Sequence, residues 1–125
     1  HSDAKKKKSG SRFWLHCRNY ASAALFLLHN GKPGEIYNVV GQHEISNLSM
    51  LHCIAAIIGN GSTPLFEMID FHSSRPGHDI RYALDGTKLK ELGWTHPVPF
   101  EQSLEKTVKW YLDNPKWIYW NDDKK

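Results

Sequence analysis

Two arginines and a histidine surround a Pro-Gly turn in the second half of the chain, at Arg75, His78 and Arg81. An arginine side chain presents a planar fork of N–H donors that matches the oxygens of a phosphate group. Pro76 fixes one backbone angle, and Gly77 permits a sharp turn or the close approach of a ligand. The pattern predicts a phosphate-binding corner, and the alternative is a surface turn with incidental charges.

Composition indicates a single globular domain. The chain has 125 residues, of which 40% are hydrophobic and 12% aromatic, which is enough for a modest core. Its net charge of +3 arises within residues 1–11, where Lys5–Lys8 outweigh Asp3, whereas 12 basic and 12 acidic residues balance from Arg12 onward. This balance argues against a nucleic-acid surface. We predict a flexible basic segment at 1–11 and one domain at 12–125, with a tether to nucleic acid or anionic lipid as the alternative for the lysine run.

The two cysteines do not form a disulfide framework, because Cys17 and Cys53 each simply follow a histidine. Zinc uses imidazole and thiolate ligands, but side chains of adjacent residues diverge on a helix or a strand, which removes the usual chelating gap. We predict buried free thiols and no metal site. Free thiols favour a reducing interior, so we expect a cytoplasmic protein, and no apolar run has the length of a membrane span.

Hydrophobic spacing and capping residues predict a mixed α/β fold of helices packed with a few short strands. The long helices are expected at Ala21–His29, Asn47–Ile58 and Phe100–Asn114. Short strands are expected at Glu35–Val40, Leu65–Phe71 and Arg81–Leu84.

Capping residues mark the predicted helix ends. Asn19 is the expected N-cap of the first helix, and Ser46 or Asn47 that of the second. Asp85 is expected to cap a short helix that Gly93 terminates.

Five further motifs accompany the Pro-Gly turn in a fixed order along the chain. They are RFWLH at 12–16, GEIYNV at 34–39, SNL at 46–48, ELGW at 91–94 and KTVKWYL at 106–112. In this order and at these spacings, they resemble the carboxy-terminal part of nucleotide-sugar 4,6-dehydratases. The similarity is greatest to the dTDP-glucose 4,6-dehydratase group of the extended short-chain dehydrogenases. The resemblance runs from about residue 12 to residue 117 and implies part of that fold, not a complete Rossmann fold.

The resemblance implies a set of residues that bind the nucleotide diphosphate: Arg12, Asn47, Arg75, Pro76, Gly77 and His78. For Arg12 the alternative is a surface arginine at the edge of a strand. Asn47 is also suited to a helix start, and the two roles are compatible because helix starts favour anions. For His78, bracing the turn is the alternative to binding a phosphate.

Other residues of these motifs have a structural interpretation. Arg81 is expected to form an ion pair with Asp79 or Asp85. The tryptophans of the motifs are expected to pack against the fold and not to form a base-stacking platform, and these are Trp94, Trp110 and Trp117.

The catalytic motifs that the resemblance associates with the intact enzymes are not in this sequence. Those enzymes use NAD, a Gly-rich phosphate turn and a Tyr-x-x-x-Lys pair, whereas here Tyr37, Tyr82 and Tyr111 are followed four positions later by Gly41, Gly86 and Pro115. We therefore expect no catalytic residue and no cofactor in this chain.

The sequence also departs from the family pattern in two places. It has Arg12-Phe13-Trp14 where the family usually has Arg-Asp-Trp. It has Arg18-Asn19-Tyr20 where the family usually has two acidic residues and a histidine. We expect the second departure to alter the contact between domains more than it alters phosphate binding.

Together these features predict that the chain binds the diphosphate of a dTDP- or UDP-glucose type of nucleotide sugar and is inactive alone. It would be the substrate-binding portion of a 4,6-dehydratase, with a catalytic half or a second copy as its protein partner. The alternative is a non-catalytic relative that acts as an assembly partner of a full-length dehydratase or another chain. We expect neither a membrane nor a nucleic acid as partner.

Overall fold

The computed structural model describes residues 8–59, 63–69 and 79–118, and these residues form a mixed α/β fold, as predicted. The helices are α1 (Cys17–Asn30), α2 (Asn47–Ile58), α3 (Thr87–Glu91) and α4 (Phe100–Asp113), and α4 is followed by a 3-10 turn at Pro115–Trp117. The strands are β1 (Ser11–Phe13), β2 (Glu44–Ser46) and β3 (Arg81–Tyr82). Strand β1 begins one residue before the predicted domain boundary, and the boundary itself stays a prediction.

Helix α2 has the predicted bounds because both of its ends carry strong capping residues. The Ser46 hydroxyl accepts a hydrogen bond from the backbone N–H of Ser49 at 3.0 Å, which satisfies one free donor of the first turn. At the other end Gly59 has φ +80°, a left-handed conformation that glycine adopts without steric cost.

Helix α1 begins before the predicted start at Ala21 because its N-cap is His16 and not Asn19. The ring atom Nδ1 of His16 accepts a hydrogen bond from the backbone N–H of Arg18 at 3.0 Å. Asn19 is buried, and its side-chain amide donates to the carbonyl of Val98 at 2.8 Å. Asn19, the residue expected to cap α1, instead links this helix by a hydrogen bond to the segment that precedes α4.

Helix α3 is confirmed, but its N-cap is Gly86 and not the predicted Asp85, which lies one residue earlier. The Asp85 carboxylate accepts a hydrogen bond from the backbone N–H of Thr87 at 2.9 Å. Hydrogen bonds from the Thr87 side chain and backbone hold the pKa of Asp85 below its ordinary value. Gly93, the predicted terminator, has φ +109°.

The three strands form one small sheet in the order β2-β1-β3. Strand β1 pairs antiparallel with β2 and parallel with β3, so that Ser11 lies opposite both Ser46 and Arg81. Two strand predictions are wrong for the described residues. The segment 35–40 belongs to no ladder, because none of the described strands pairs with it, and residues 65–69 are irregular. Of the third predicted strand, only Arg81–Tyr82 is paired.

An ion pair joins the outer strands of the sheet across β1. The guanidinium of Arg81 donates to both carboxylate oxygens of Glu44, at 2.7 and 2.8 Å, and the Ser11 hydroxyl donates to the same carboxylate at 2.6 Å. Arg81 is thus a structural ion-pair residue, but the predicted partners Asp79 and Asp85 are wrong. Hydrogen bonds from Arg81 and then from Ser11 lower the pKa of Glu44 from 4.5 to about 2, and the Arg81 pKa is raised in return.

The core is small and lies between α1 and α3. Ala23, Leu89 and Trp94 are buried together, and three half-buried side chains pack on them: Phe26, Leu27 and Val39. A second contact joins α2 to α4 and includes the buried Met50 and Val108.

The cysteine prediction was half right. No disulfide joins Cys17 and Cys53, but both are exposed and not buried, because the face of each helix that carries the cysteine is open to solvent. Within the part of the chain that the structure describes, no helix is long and apolar enough to cross a membrane.

We expect the substitution Leu89→Ala to destabilise the fold by about 2–5 kcal/mol, because it leaves a cavity in a core with few other side chains to fill it. Leu89 is 1% exposed. Urea denaturation followed by tryptophan fluorescence would measure the loss. The control Leu65→Ala removes the same atoms from a fully exposed side chain and should change stability by less than about 0.5 kcal/mol. Equal losses would contradict the position of the core.

Glu44 should make stability depend on pH in acid. Because its folded-state pKa is lowered to about 2, its contribution is fully present above pH 4.5 and is lost as the pH falls from 4.5 through 2. The substitution Glu44→Gln should lower the urea midpoint at pH 7 and flatten its fall between pH 4.5 and 2.5. The effect should be modest, because the pair is solvent-exposed. Glu67→Gln is the control, and parallel curves for wild type and Glu44→Gln would contradict the ion pair.

Candidate functional site

Arg12 lies in the central strand of the sheet, between β2 and β3. Its Nη1 atom donates to the carbonyls of Ser11 and Ile80, at 2.6 and 3.1 Å. The guanidinium carbon lies 4.1 Å from the centroid of the Tyr82 ring, within the range of a cation–π contact. The side chain is half-buried and is fixed by its neighbours on β3. A held guanidinium of this kind loses little freedom when it binds an anion.

Asn47 is the first residue of α2, and its backbone N–H donates to the carbonyl of Gly10 at 2.7 Å. The backbone N–H of the next residue, Leu48, approaches the Ser9 hydroxyl at 3.4 Å. The start of the helix is therefore attached to the two residues that lead into β1. Asn47 has the helix-start position that the motif predicted, while the capping side chain is that of Ser46.

Gly10 brings the two predicted binding side chains together. A Cβ atom on Gly10 would lie 3.3 Å from Nη1 of Arg12 and 3.4 Å from Nδ2 of Asn47. The same position is only 2.9 Å from the carbonyl oxygen of Ile80. The absence of a side chain at Gly10 thus allows a guanidinium, an amide and the start of β3 to converge on one point. The cationic Arg12 and the neutral Asn47 amide thus lie beside the N-terminus of a 12-residue helix, where negative charge is favoured.

The predicted phosphate-binding corner, Arg75 to His78, lies outside the described residues. The described chain resumes at Asp79, directly before Ile80. The Ile80 carbonyl accepts hydrogen bonds from Arg12 and from the backbone N–H of Ser11, the latter at 3.0 Å. Arg12 and Asn47 therefore lie near each other, and a binding role for any of the six residues stays a prediction.

The tryptophans divide into two groups. Trp94 is 7% exposed and packs in the core, as predicted, and its indole N–H donates to the Ser22 hydroxyl at 3.3 Å. Trp110 and Trp117 are about half exposed and lie against each other, with ring centroids 5.9 Å apart. Trp110 also lies edge-on to Tyr111, with ring centroids 5.1 Å apart, so both tryptophans pack against neighbouring aromatic rings.

Several residues that build this region could not be predicted from the sequence. Gly10 was counted in a flexible segment, and Glu44 is separated from Arg81 by 37 positions. Tyr82 was expected only as part of a strand, yet its ring supports the Arg12 guanidinium. Only three-dimensional contacts identify these residues.

A mostly apolar cavity lies elsewhere, between the start of α1 and the pair α2 and α4. Its volume is about 450 Å³, and its walls include Trp14, Met50 and Phe100. The buried Asn19 also borders it, and its Oδ1 atom has no hydrogen-bond partner. No group of three or more metal-ligating side chains occurs among the residues described.

Comparisons with known proteins agree with the motifs, although no family model matches the chain. It is 39% identical over 113 residues to a probable dTDP-glucose 4,6-dehydratase of Sinorhizobium fredii, covering 87% of this chain and 32% of the relative. It is 37% identical over 114 residues to a dTDP-glucose 4,6-dehydratase of Escherichia coli, covering 85% of this chain and 32% of that enzyme.

Solved structures give the same result. A Bacillus anthracis dTDP-glucose 4,6-dehydratase in complex with NAD superposes with a TM-score of 0.75 at 34% identity, over 89% of this chain and 34% of the enzyme. The Streptomyces venezuelae enzyme with NAD and TYD bound gives a TM-score of 0.73 at 32% identity, with the same coverage.

The chain spans about a third of the length of the curated relatives it matches. This coverage agrees with the carboxy-terminal part that the motifs predicted. Over most of its length, this chain is therefore similar in sequence and in fold to one portion of the dTDP-glucose 4,6-dehydratases.

Proposed function

We propose that this chain binds the diphosphate of a nucleotide sugar, as the substrate-binding portion of a 4,6-dehydratase. The observation that carries the proposal is the meeting of Arg12 and Asn47 over Gly10, at the start of α2. The similarity to dTDP-glucose 4,6-dehydratases supports the choice of ligand, because one of those structures holds TYD with NAD.

Each group of the proposed site has a defined chemical task. Nη1 of Arg12 is anchored to two backbone carbonyls, so the guanidinium is held in one orientation. A guanidinium has several N–H donors, and those not used by the anchor can donate to phosphate oxygens. The Asn47 side-chain amide adds a neutral donor, and the dipole of α2 favours negative charge near its N-terminus.

Residues 75–78, which precede Ile80, would supply the rest of the proposed diphosphate clamp. Arg75 would bind the paired phosphates as a bidentate fork, and His78 would donate one further hydrogen bond or brace the turn. Pro76 and Gly77 would shape the corner that presents these two side chains. Binding energy gained at the diphosphate would position a sugar whose reacting carbons lie elsewhere.

The chemistry of dehydration falls outside this chain in our proposal. NAD requires a phosphate cradle at a helix start, and none of the three long helices described begins at a Gly-rich turn. The residues before α1 are Trp14, Leu15 and His16, which is not a Gly-rich turn. The described residues do not fit the cofactor. We propose that the chain is inactive alone, has a protein partner and works in the cytoplasm.

Titration calorimetry with dTDP tests the proposed function. Arg75→Ala and Asn47→Ala should each weaken binding, the arginine change by about 10–100-fold, because a charge-assisted hydrogen bond contributes about 1.5–3 kcal/mol. Matched controls are Arg18→Ala, an exposed arginine on α1, and Asn30→Ala at the other end of the same helix. Both controls should bind dTDP like the wild type.

Two results would contradict the proposal. One is a complete lack of dTDP affinity, both for the chain alone and when it replaces the matched third of a dehydratase. The other is an equal loss of affinity in the controls and in Arg75→Ala, which would indicate a non-specific charge effect. Circular dichroism of every variant would separate loss of the site from loss of the fold.

A further inference from the structure

The cavity between the start of α1 and the helix pair α2 and α4 has the size and the walls of a small-molecule site. Its volume of about 450 Å³ lies within the range of roughly 300–1,000 Å³ that is typical of ligand pockets. The rings of Trp14 and Phe100 and the thioether of Met50 form part of the wall. The indole of Trp14 is oriented by its N–H, which donates to the Ile45 carbonyl at 3.2 Å. Aromatic and thioether groups pack well against a flat ring.

The chemistry of the wall does not suit a charged ligand. The described residues that line the cavity include no Asp, Glu, Lys or Arg. The Nδ1 atom of His16 accepts from the backbone N–H of Arg18 at 3.0 Å, and an accepting ring nitrogen belongs to an uncharged imidazole. The Nε2 atom of His96 lies 2.8 Å from the Val40 carbonyl. An anion would lose its hydration here without gaining a cationic partner, so the cavity suits a neutral molecule.

One buried acceptor at the wall of this cavity has no donor. Asn19 is 3% exposed, and its Nδ2 atom donates to the Val98 carbonyl at 2.8 Å. This bond sets the orientation of the amide, because the opposite orientation would place two acceptors against each other. The Oδ1 atom of Asn19 is thereby left without a partner. A buried acceptor without a donor costs free energy, which a ligand with one N–H or O–H group would recover.

Water matches this cavity less well than such a ligand does. A water molecule inside a protein ordinarily makes about two to four hydrogen bonds, and a mostly apolar wall offers few. Polar groups of the wall also have partners within the chain. The Gln42 Oε1 atom accepts from the backbone N–H of Phe100 at 2.8 Å, and the Thr107 hydroxyl donates to the Ser103 carbonyl at 2.7 Å.

We propose that this cavity binds a small, neutral, aromatic molecule with one N–H or O–H donor, and that Oδ1 of Asn19 accepts this donor. Contact of the ring with the apolar wall would provide most of the binding free energy, and the hydrogen bond would fix its orientation. The site goes beyond the proposed diphosphate binding and does not depend on it, because neither Arg12 nor Asn47 lines the cavity.

Indole is the probe in the test, because it combines a flat apolar ring with a single N–H donor. The chain has two methionines, Met50 at the cavity wall and Met68 outside it. In protein with isotope-labelled methionine methyl groups, titration with indole should shift the Met50 signal in a saturable manner, since a nearby ring changes the chemical shift of a methyl group. The Met68 signal should stay unchanged and serves as the internal control.

Benzofuran tests the role of Asn19, because it has the shape of indole with a ring oxygen in place of the N–H group. We expect the wild type to bind indole at least about 5-fold more tightly, since only indole supplies the missing donor. In Asn19→Ala this preference should disappear, and a ratio measured within one variant is insensitive to a general loss of stability. If Asn19→Ala does not fold, the preference of the wild type alone decides.

A larger side chain inside the cavity should exclude the probe. Ile54 of α2 lines the cavity, whereas Ile58 lies one turn later on the same helix, outside the cavity wall and partly exposed. The substitution Ile54→Phe should weaken indole binding by about 10-fold or more, because the added ring occupies the space of the ligand. The matched control Ile58→Phe should bind indole like the wild type, and circular dichroism would verify that both variants fold.

The proposal is overturned if Met50 shows no saturable shift, if both methionines shift alike, or if the wild type binds indole and benzofuran equally well. Equal effects of Ile54→Phe and Ile58→Phe would also overturn it. Displacement of indole by dTDP would do the same, because the cavity would then belong to the nucleotide site. Calorimetry with dTDP in the absence of indole tests the proposed function separately, so the two failures are distinguishable.

Discussion

The carboxylate of Glu44 in β2 accepts hydrogen bonds from Ser11 in β1 and Arg81 in β3, so one acceptor links all three strands of the sheet. With two or three residues in each strand, backbone ladders alone provide few bonds. The ion pair joins β2 to β3 across β1, and α2 begins directly after β2. The position of Asn47 relative to Arg12 is therefore set by a contact between segments that lie far apart in the chain.

Local signals in the sequence predicted the elements whose ends are fixed locally. Ser46 and Gly59 determine α2 with no help from the rest of the fold, and its bounds were predicted to the residue. The start of α1 was missed because a histidine ring acts as its cap, which is less common than an asparagine or serine cap. Arg12 and Asn47 were each identified from the family motifs, but Gly10, which allows their side chains to approach each other, was not.

The incorrect predictions concern contacts between residues that lie far apart in the chain. The segment 36–40 has the composition of a strand, but a strand also requires a neighbour, and composition cannot state whether one is present. The partner of Arg81 was sought among acidic residues nearby in the chain, whereas the sheet brings Glu44 to it. The cysteines were expected inside because free thiols are usually buried, but the small core of Ala23, Leu89 and Trp94 has little volume to enclose them.

Gly10 has a consequence for how sequence changes in this region should be interpreted. A methyl group there would collide with the Ile80 carbonyl, and relieving the clash would move the entry of β3 away from the first turn of α2. A position with no functional group of its own would then control the spacing of donors supplied by three separate segments. Substitution of Gly10 would therefore resemble a defect in ligand recognition, although glycine itself has no side chain that could contact a ligand.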